Sequence, residues 1–487
     1  MSDRLASYLA VISYGLVASK LAFLNAPPIL IGFALMLSAA VAWVERKQID
    51  AMPSRWGWKP RLGASSGLSF CLLVPLCVLL STYHIHGSKV KKDPFLRVVV
   101  SACLSLSISS VLFFFLTAAG YSPNPKLTTS KQKNGGLRDD EKINFSFYGM
   151  ASLSMKEMAF LGAILIIFLL ALSQILTIIP RSFSLGEAAI CCQSICLLLV
   201  SFGALFLHQF KIAFTHSQHL ASTPEVIVFM EVAMVSCMLM VFILYMTPVL
   251  QCAVGFYALL LLVMAVFSLP LLFICLKKDF VLWLVIYIQE NSTKTGLFSY
   301  WAACLVAAAG LVFINTHKSR QKRSITTATR KQFHLLALAV IVPGLVADVE
   351  ITCLALTCAV IVFIMVETMR ILDVVPFGQS TGQHFLMFAD QQDQGPLLLT
   401  PLYLLCGCTA PLWLFPLDRG AHISLFGGVL SLGVGDTVAA VVGSKAGSIY
   451  WFGVTPHVDT RTESHCDIFR FECLLIAEAY QFDARMI

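Results

Sequence analysis

The chain has 487 residues, of which 58% are hydrophobic and 13% charged, with a formal net charge of +7. A soluble domain carries about 25% charged residues, so a mean hydropathy of +0.81 over this length excludes one buried core inside a solvated surface. The modest positive balance does not argue for nucleic acid, and its information lies in where the basic residues sit.

The surplus apolar surface needs lipid as its solvent, and in lipid only helices or closed barrels satisfy every backbone group. The apolar segments run to about twenty residues with no period of two, which selects helices over barrel strands. In chain order they lie near residues 5–24, 27–44, 64–83, 98–120, 158–179, 188–208, 226–246, 248–276, 297–314, 333–349, 351–371, 397–416 and 421–443. The sequence therefore predicts an all-α, polytopic integral membrane bundle of about 13 transmembrane helices. The first segment is a poor signal peptide, with Asp3 and Arg4 before it and Lys20 inside it, and reads as a retained span or interfacial helix. The run 280–288 is too short to cross alone and reads as interfacial. Most of the sixteen cysteines fall inside apolar runs, where cysteine behaves as a small hydrophobe. Cys406 and Cys408 lack the partners of a zinc site.

Four polar connections orient the spans: 45–63, 84–97, 121–157 and 315–332. The last carries Lys318, Arg320, Lys322, Arg323, Arg330 and Lys331 against no acidic residue, so the positive-inside rule places it in the cytosol. Counting spans from there puts 84–97, 372–396 and the segment around Gly435 in the cytosol. It puts the sequons at Asn144 and Asn291 in the lumen, where glycosylation is possible. The same count makes 45–63 luminal although it holds Arg46, Lys47, Arg55, Lys59 and Arg61, so the topology of the first two spans is the weak point.

The stretch richest in chemistry runs from Leu430 to Gly447. Asp436 sits at a membrane boundary, preceded by Gly433 and Gly435 and followed by Gly443 and Gly447, with Lys445 between the last two. An uncompensated carboxylate in a span costs several kcal/mol by most estimates and normally has a partner or a task. Glycines let a backbone approach a ligand closely, and successive free N–H groups cradle phosphate oxygens. Asp436 is suited to hold a magnesium ion that bridges nucleotide phosphates. The competing reading is helix packing, because Gly443 and Gly447 have the small-xxx-small spacing of touching membrane helices.

Asp436, Ala439, Gly443 and Gly447 reproduce the Asp-x-x-Ala-x-x-x-Gly-x-x-x-Gly element of dolichol kinases and of related polyprenol and phytol kinases. Upstream, the run from His384 to Thr400, with Asp390 and Asp393, resembles the dolichol kinase segment specifically. So do Tyr403, Pro411 and Trp413, the pair Arg330-Lys331, Phe333-His334, Pro343-Gly344-Leu345, and Glu367 with Arg370. The resemblance implies CTP binding through Gly435, Asp436, Ala439, Gly443, Lys445 and Gly447. It also implies a catalytic Asp436 that shares Mg2+ (or another divalent cation) with Asp390 and Asp393. Glu367 and Arg370 are three apart on one helix face and can pair. Either fold support or substrate contact would explain such a pair.

The family continues after the glycines with Trp-Pro-Gly and then Lys-Lys-Thr, whereas this chain has Trp451-Phe452-Gly453-Val454-Thr455-Pro456-His457. Little kinase activity is therefore expected of the chain as given. The expected organisation is a multi-span region over 1–329, a catalytic membrane region with a cytosolic CTP loop over 330–451, and an atypical tail over 452–487. The resemblance implies CTP-dependent phosphorylation of dolichol to dolichyl phosphate at the endoplasmic reticulum membrane. The partners are then the polyprenol, CTP and the bilayer, with no nucleic acid. A kinase or cytidylyltransferase acting on another lipid such as phytol, or a transporter with Asp436 on its path, are the alternatives.

Overall fold

Apolar runs of this length fold as helices because a helix alone bonds all its backbone groups within one segment. The computed structural model describes residues 58–61, 73–86, 94–120, 155–215, 225–321, 327–376, 378, 395–414 and 423–435. Among them every regular element is helical. In order they are α1 (Leu73–His86), α2 (Pro94–Gly120), α3 (Met155–Ile178), α4 (Leu185–Thr215), α5 (Glu225–Met246) and α6 (Ala253–Leu262). A π-helical turn (Val263–Ser268) leads into α7 (Leu269–Leu276), followed by α8 (Phe280–Gln289), α9 (Ser292–Gln321), α10 (Thr327–Ala347), α11 (Val349–Ile371) and α12 (Thr400–Leu414). A 3-10 turn (Ile423–Phe426) and a π-helical segment (Val429–Gly435) close the described chain.

Among the described residues four stretches are long and apolar enough to cross a membrane: Leu185–Leu207, Glu225–Met246, Ala253–Leu276 and Val349–Ile371. Six shorter apolar helices accompany them, at 74–83, 96–110, 162–178, 280–289, 334–347 and 400–414. Each coincides with a segment expected from sequence, α8 with the run too short to cross. The first two expected spans, 5–24 and 27–44, lie outside the described residues.

The chain divides into two compact units. In the first, α2 is rich in serine, and these side chains bond back into their own helix, which is how a hydroxyl is tolerated among apolar neighbours. Ser107 donates to Cys103 O at 2.8 Å, Ser109 to Ser105 O at 2.6 Å and Ser110 to Leu106 O at 2.7 Å. Gln193 Nε2 then donates to Ser110 Oγ at 2.6 Å and ties α4 to α2.

In the second unit one apolar core joins residues of α4, α5, α7, α10, α11 and α12, including Leu205, Val232, Leu271, Leu345, Cys353 and Cys408. Its outer faces leave Leu261 (70% exposed), Leu305 (70%) and Val306 (74%) bare. Exposure of that order suits acyl chains and would be costly in water, at about 25 cal/mol per Å². α8 is pinned at one end of this unit by polar bonds from its aromatic side chains. Trp283 Nε1 donates to Glu225, which also pairs with Lys278. Tyr287 donates to Glu350 Oε2 at 3.2 Å, and Lys294 Nζ stands 3.5 Å from the Tyr287 ring centroid. Burial first, and then the Glu350 carboxylate, push the Tyr287 hydroxyl pKa upward.

Among the described residues Pro343 and Pro411 sit inside helices, and each frees the carbonyl four residues earlier. Pro343 in α10 frees Ala339 O, and Tyr300 of α9 donates its hydroxyl to that oxygen at 2.6 Å. Trp301 Nε1 bonds the neighbouring Val340 O at 3.0 Å. Replacing Tyr300 by Phe keeps the ring and removes the donor. The expected cost is about 1–3 kcal/mol, that of leaving a freed carbonyl unsatisfied, read as a lower melting temperature in detergent. An unchanged melt would show that Ala339 O finds another partner.

The basic connection 45–63 ends beside the turn after α3, where Arg61 N–H donates to Phe183 O at 2.8 Å. The span count puts that turn and the segment near Gly395 on one face, and Gly395 does pack on Ser182 of the same turn. Arg61, at the end of 45–63, thus lies beside the same turn as Gly395.

Candidate functional site

The element Asp436–Gly447 follows directly from the π-helical segment Val429–Gly435. Short π-helical segments recur at functional sites because they offset side chains and loosen the hydrogen-bond ladder. Two close contacts seat this segment. A Cβ on Gly428 would stand 2.3 Å from Gly407 O and 2.9 Å from Cys408 Cα, so the segment crosses α12 backbone to backbone. Gly407 O is the carbonyl that Pro411 leaves without its helical donor. A Cβ on Gly433 would meet the Leu338 side chain of α10 at 2.6 Å. Gly435, the last described residue of the segment, is exposed.

The second part of the site lies at the end of α11. Glu367 is 7% exposed and holds Arg370 in a two-pronged pair, Nε to Oε2 at 2.8 Å and Nη2 to Oε1 at 2.7 Å. The same Oε1 accepts from Leu398 N–H at 2.7 Å, and Arg370 Nη2 donates to Pro396 O at 2.5 Å. The pair expected from its spacing thus forms, and it spends its remaining bonding capacity on backbone just beyond the acidic run. Thr400 then opens α12, from which Trp413 Nε1 donates to Thr357 Oγ1 of α11 at 2.9 Å.

Of the residues singled out from sequence, Gly435, Glu367, Arg370, His334, Tyr403, Pro411 and Trp413 are placed by the structure. Asp390, Asp393, Asp436, Ala439, Gly443, Lys445 and Gly447 lie outside the described residues, as does His384. No group of three potential metal ligands occurs among the described residues. Carboxylate oxygens are the hard donors magnesium takes, so Asp390, Asp393 and Asp436 fit that ion chemically. Glu367 does not add to them, since Arg370 and Leu398 occupy its oxygens. Sequence reasoning missed Ser182 and Gly395, which meet across a large sequence separation. The signal available was a glycine directly before a proline at the end of a polar run.

The described helices define a polytopic α-helical membrane protein. Residues 145–464 match the dolichol kinase family. The chain belongs to the dolichol kinase family. It is 30% identical over 350 residues to the dolichol kinase of Mus musculus, covering 67% of this chain and 63% of that protein. It is 29% identical over 351 residues to that of Homo sapiens, with the same shares. It is 31% identical over 173 residues to that of Saccharomyces cerevisiae, covering 35% of this chain and 31% of the yeast protein. The chain thus spans 63% of the length of the mammalian relatives it matches. No solved structure matches it. The family match starts at residue 145, well upstream of the motifs that carry the resemblance, and runs past Trp451 to residue 464.

Proposed function

We propose that the chain transfers the γ-phosphate of CTP to the terminal hydroxyl of dolichol, giving dolichyl phosphate at the endoplasmic reticulum membrane. The family match past Trp451 to residue 464 outweighs the low activity expected from its tail. The observation that carries this reading is the family match over residues 145–464. The substrates account for the architecture: a polyisoprenoid alcohol dissolves in the bilayer and CTP in water, so the reaction belongs at the helix ends. We place the catalytic region at 330–451, behind a multi-span region over 1–329, in a bundle of about 13 spans.

Each part of this chain has a task in that reading. Gly435, Ala439, Gly443 and Gly447 let the backbone close on the nucleotide, whose phosphate oxygens accept from free N–H groups. Lys445 adds positive charge beside them. Asp436, with Asp390 and Asp393, would hold magnesium, which neutralises the charge on the transferring phosphoryl group. A loose transition state makes a strong general base less necessary, and none is assigned.

The test has two arms. Purified chain in lipid should move label from the γ-position of CTP to extracted dolichol, and phytol offered instead should be a poorer acceptor. A cysteine introduced by Ser448→Cys should react with an impermeant thiol reagent from the cytosolic side of sealed microsomes. Labelling only after the membrane is opened would overturn the cytosolic CTP site.

A further inference from the structure

The hairpin made by α5 and the α6–α7 stretch is free of charge: from residue 232 to residue 276 there is no Asp, Glu, Lys, Arg or His. At its open end Glu225, which starts α5, pairs with Lys278 just past α7, so both limbs begin at one level. From that level α5 extends 22 residues, about 33 Å at the helical rise. The stretch Ala253–Leu276 extends 24 residues, about 36 Å. A hydrocarbon core is about 30 Å thick, so the tip of the hairpin at 247–252 comes level with its far boundary.

This tip spends its polar groups on itself. Thr247 donates its hydroxyl to Ile243 O, and Gln251 Nε2 donates to Leu244 O at 2.9 Å. Cys252 Sγ accepts from Gly255 N–H at 3.4 Å and caps α6. Leu250 N–H and Gln251 N–H bond Thr247 O and Pro248 O, both at 3.0 Å, and Pro248 brings no N–H. Tyr257 donates to Val375 O at 2.6 Å and ties the stretch after α11 to the same level. What is turned outward is apolar: Val249 is 88% exposed, Val254 80% and Val375 70%.

From this construction we infer that the α5–α6 tip, with Val375 beside it, is seated in the headgroup layer of the bilayer and covered by phospholipid. A turn held in water can leave its polar groups to the solvent, whereas one held in lipid has to satisfy them within the chain. Both limbs are long and apolar enough to cross a membrane, so the tip continues the surface that lipid covers. Tyr245 and Tyr257, both exposed, flank it, and tyrosine favours that level because its ring is apolar and its hydroxyl polar. A protein partner fits the tip less well. Specific interfaces carry one hydrogen bond per about 100–200 Å², and the polar side chains here are already engaged with backbone.

The experiment uses the full chain in phosphatidylcholine nanodiscs and needs no substitution. A diazirine reagent dissolved in the lipid is photolysed in one sample, and hydroxyl radicals are generated in the water of another. Modification is mapped by mass spectrometry and normalised to the same peptides in the denatured chain. The tip at 247–254 and Val375 should take the lipid reagent. Their radical modification should fall at least about tenfold below that of the exposed segment 290–293, as exclusion of water requires. Radical modification above that limit would overturn the inference, whatever the lipid reagent does. Protection from both reagents would overturn it too, because protein, a partner or a second copy, would then cover the tip.

Discussion

Asp436→Asn should abolish CTP-dependent phosphorylation of dolichol while leaving the protein in the membrane. The change removes a charge and a hard oxygen ligand but hardly alters volume, so helix packing around it should survive. Phosphoryl transfer spreads negative charge over the transferring oxygens, and neutralising that charge is most of what such an enzyme contributes. Loss of one preorganised group of this kind typically costs about 10²–10³ in rate. On the proposed function the deficit should be at the upper end, because Asp436 would also hold the metal. The comparison should be made with wild type at equal expression, in membranes from cells lacking their own dolichol kinase. Transfer by the Asp436→Asn variant at near wild-type rate would remove Asp436 from the metal site.

Gly428→Ala should be among the most damaging small substitutions in the described structure. The added methyl carbon would stand 2.3 Å from Gly407 O and 2.9 Å from Cys408 Cα, and both obstacles are backbone. A side chain can rotate away from an intruder, whereas α12 can give way only by shifting as a body. Overpacking typically costs about 1–3 kcal/mol when side chains absorb it, and backbone-to-backbone crowding belongs at or above that upper bound. The cost should appear as a large fall in melting temperature and in the monodisperse fraction on size exclusion. Gly310→Ala in α9 is the control, since nothing stands within 4 Å of its would-be Cβ. Alanine there should be neutral or stabilising by up to about 1 kcal/mol, the difference in helix propensity. Equal melts for the two variants would mean that the crossing at Gly407 and Gly428 is looser than described.

Because Gly428 seats the segment that ends at Gly435, its substitution should also displace whatever follows. A partly folded Gly428→Ala protein is therefore expected to lose more activity than its folded fraction explains. The Gly310→Ala control should lose none.

Composition alone determined that this chain belongs in lipid, and run length alone placed its helices, because both are sums over neighbouring residues and need no partner. The pair Glu367–Arg370 was legible for the same reason, since three residues along a helix bring two side chains to one face. Only tertiary structure decided what that pair holds. The acceptor at Pro396 and the donor at Leu398 are more than twenty-five residues away in sequence, and no local pattern couples them. Nor could periodicity reveal that Gly395 lies on Ser182, that Tyr300 satisfies the carbonyl freed by Pro343, or that Gly407 and Gly428 bring two helices into backbone contact. Each depends on how separate segments stack, and close packing resolves distances of tenths of an ångström that hydropathy does not carry.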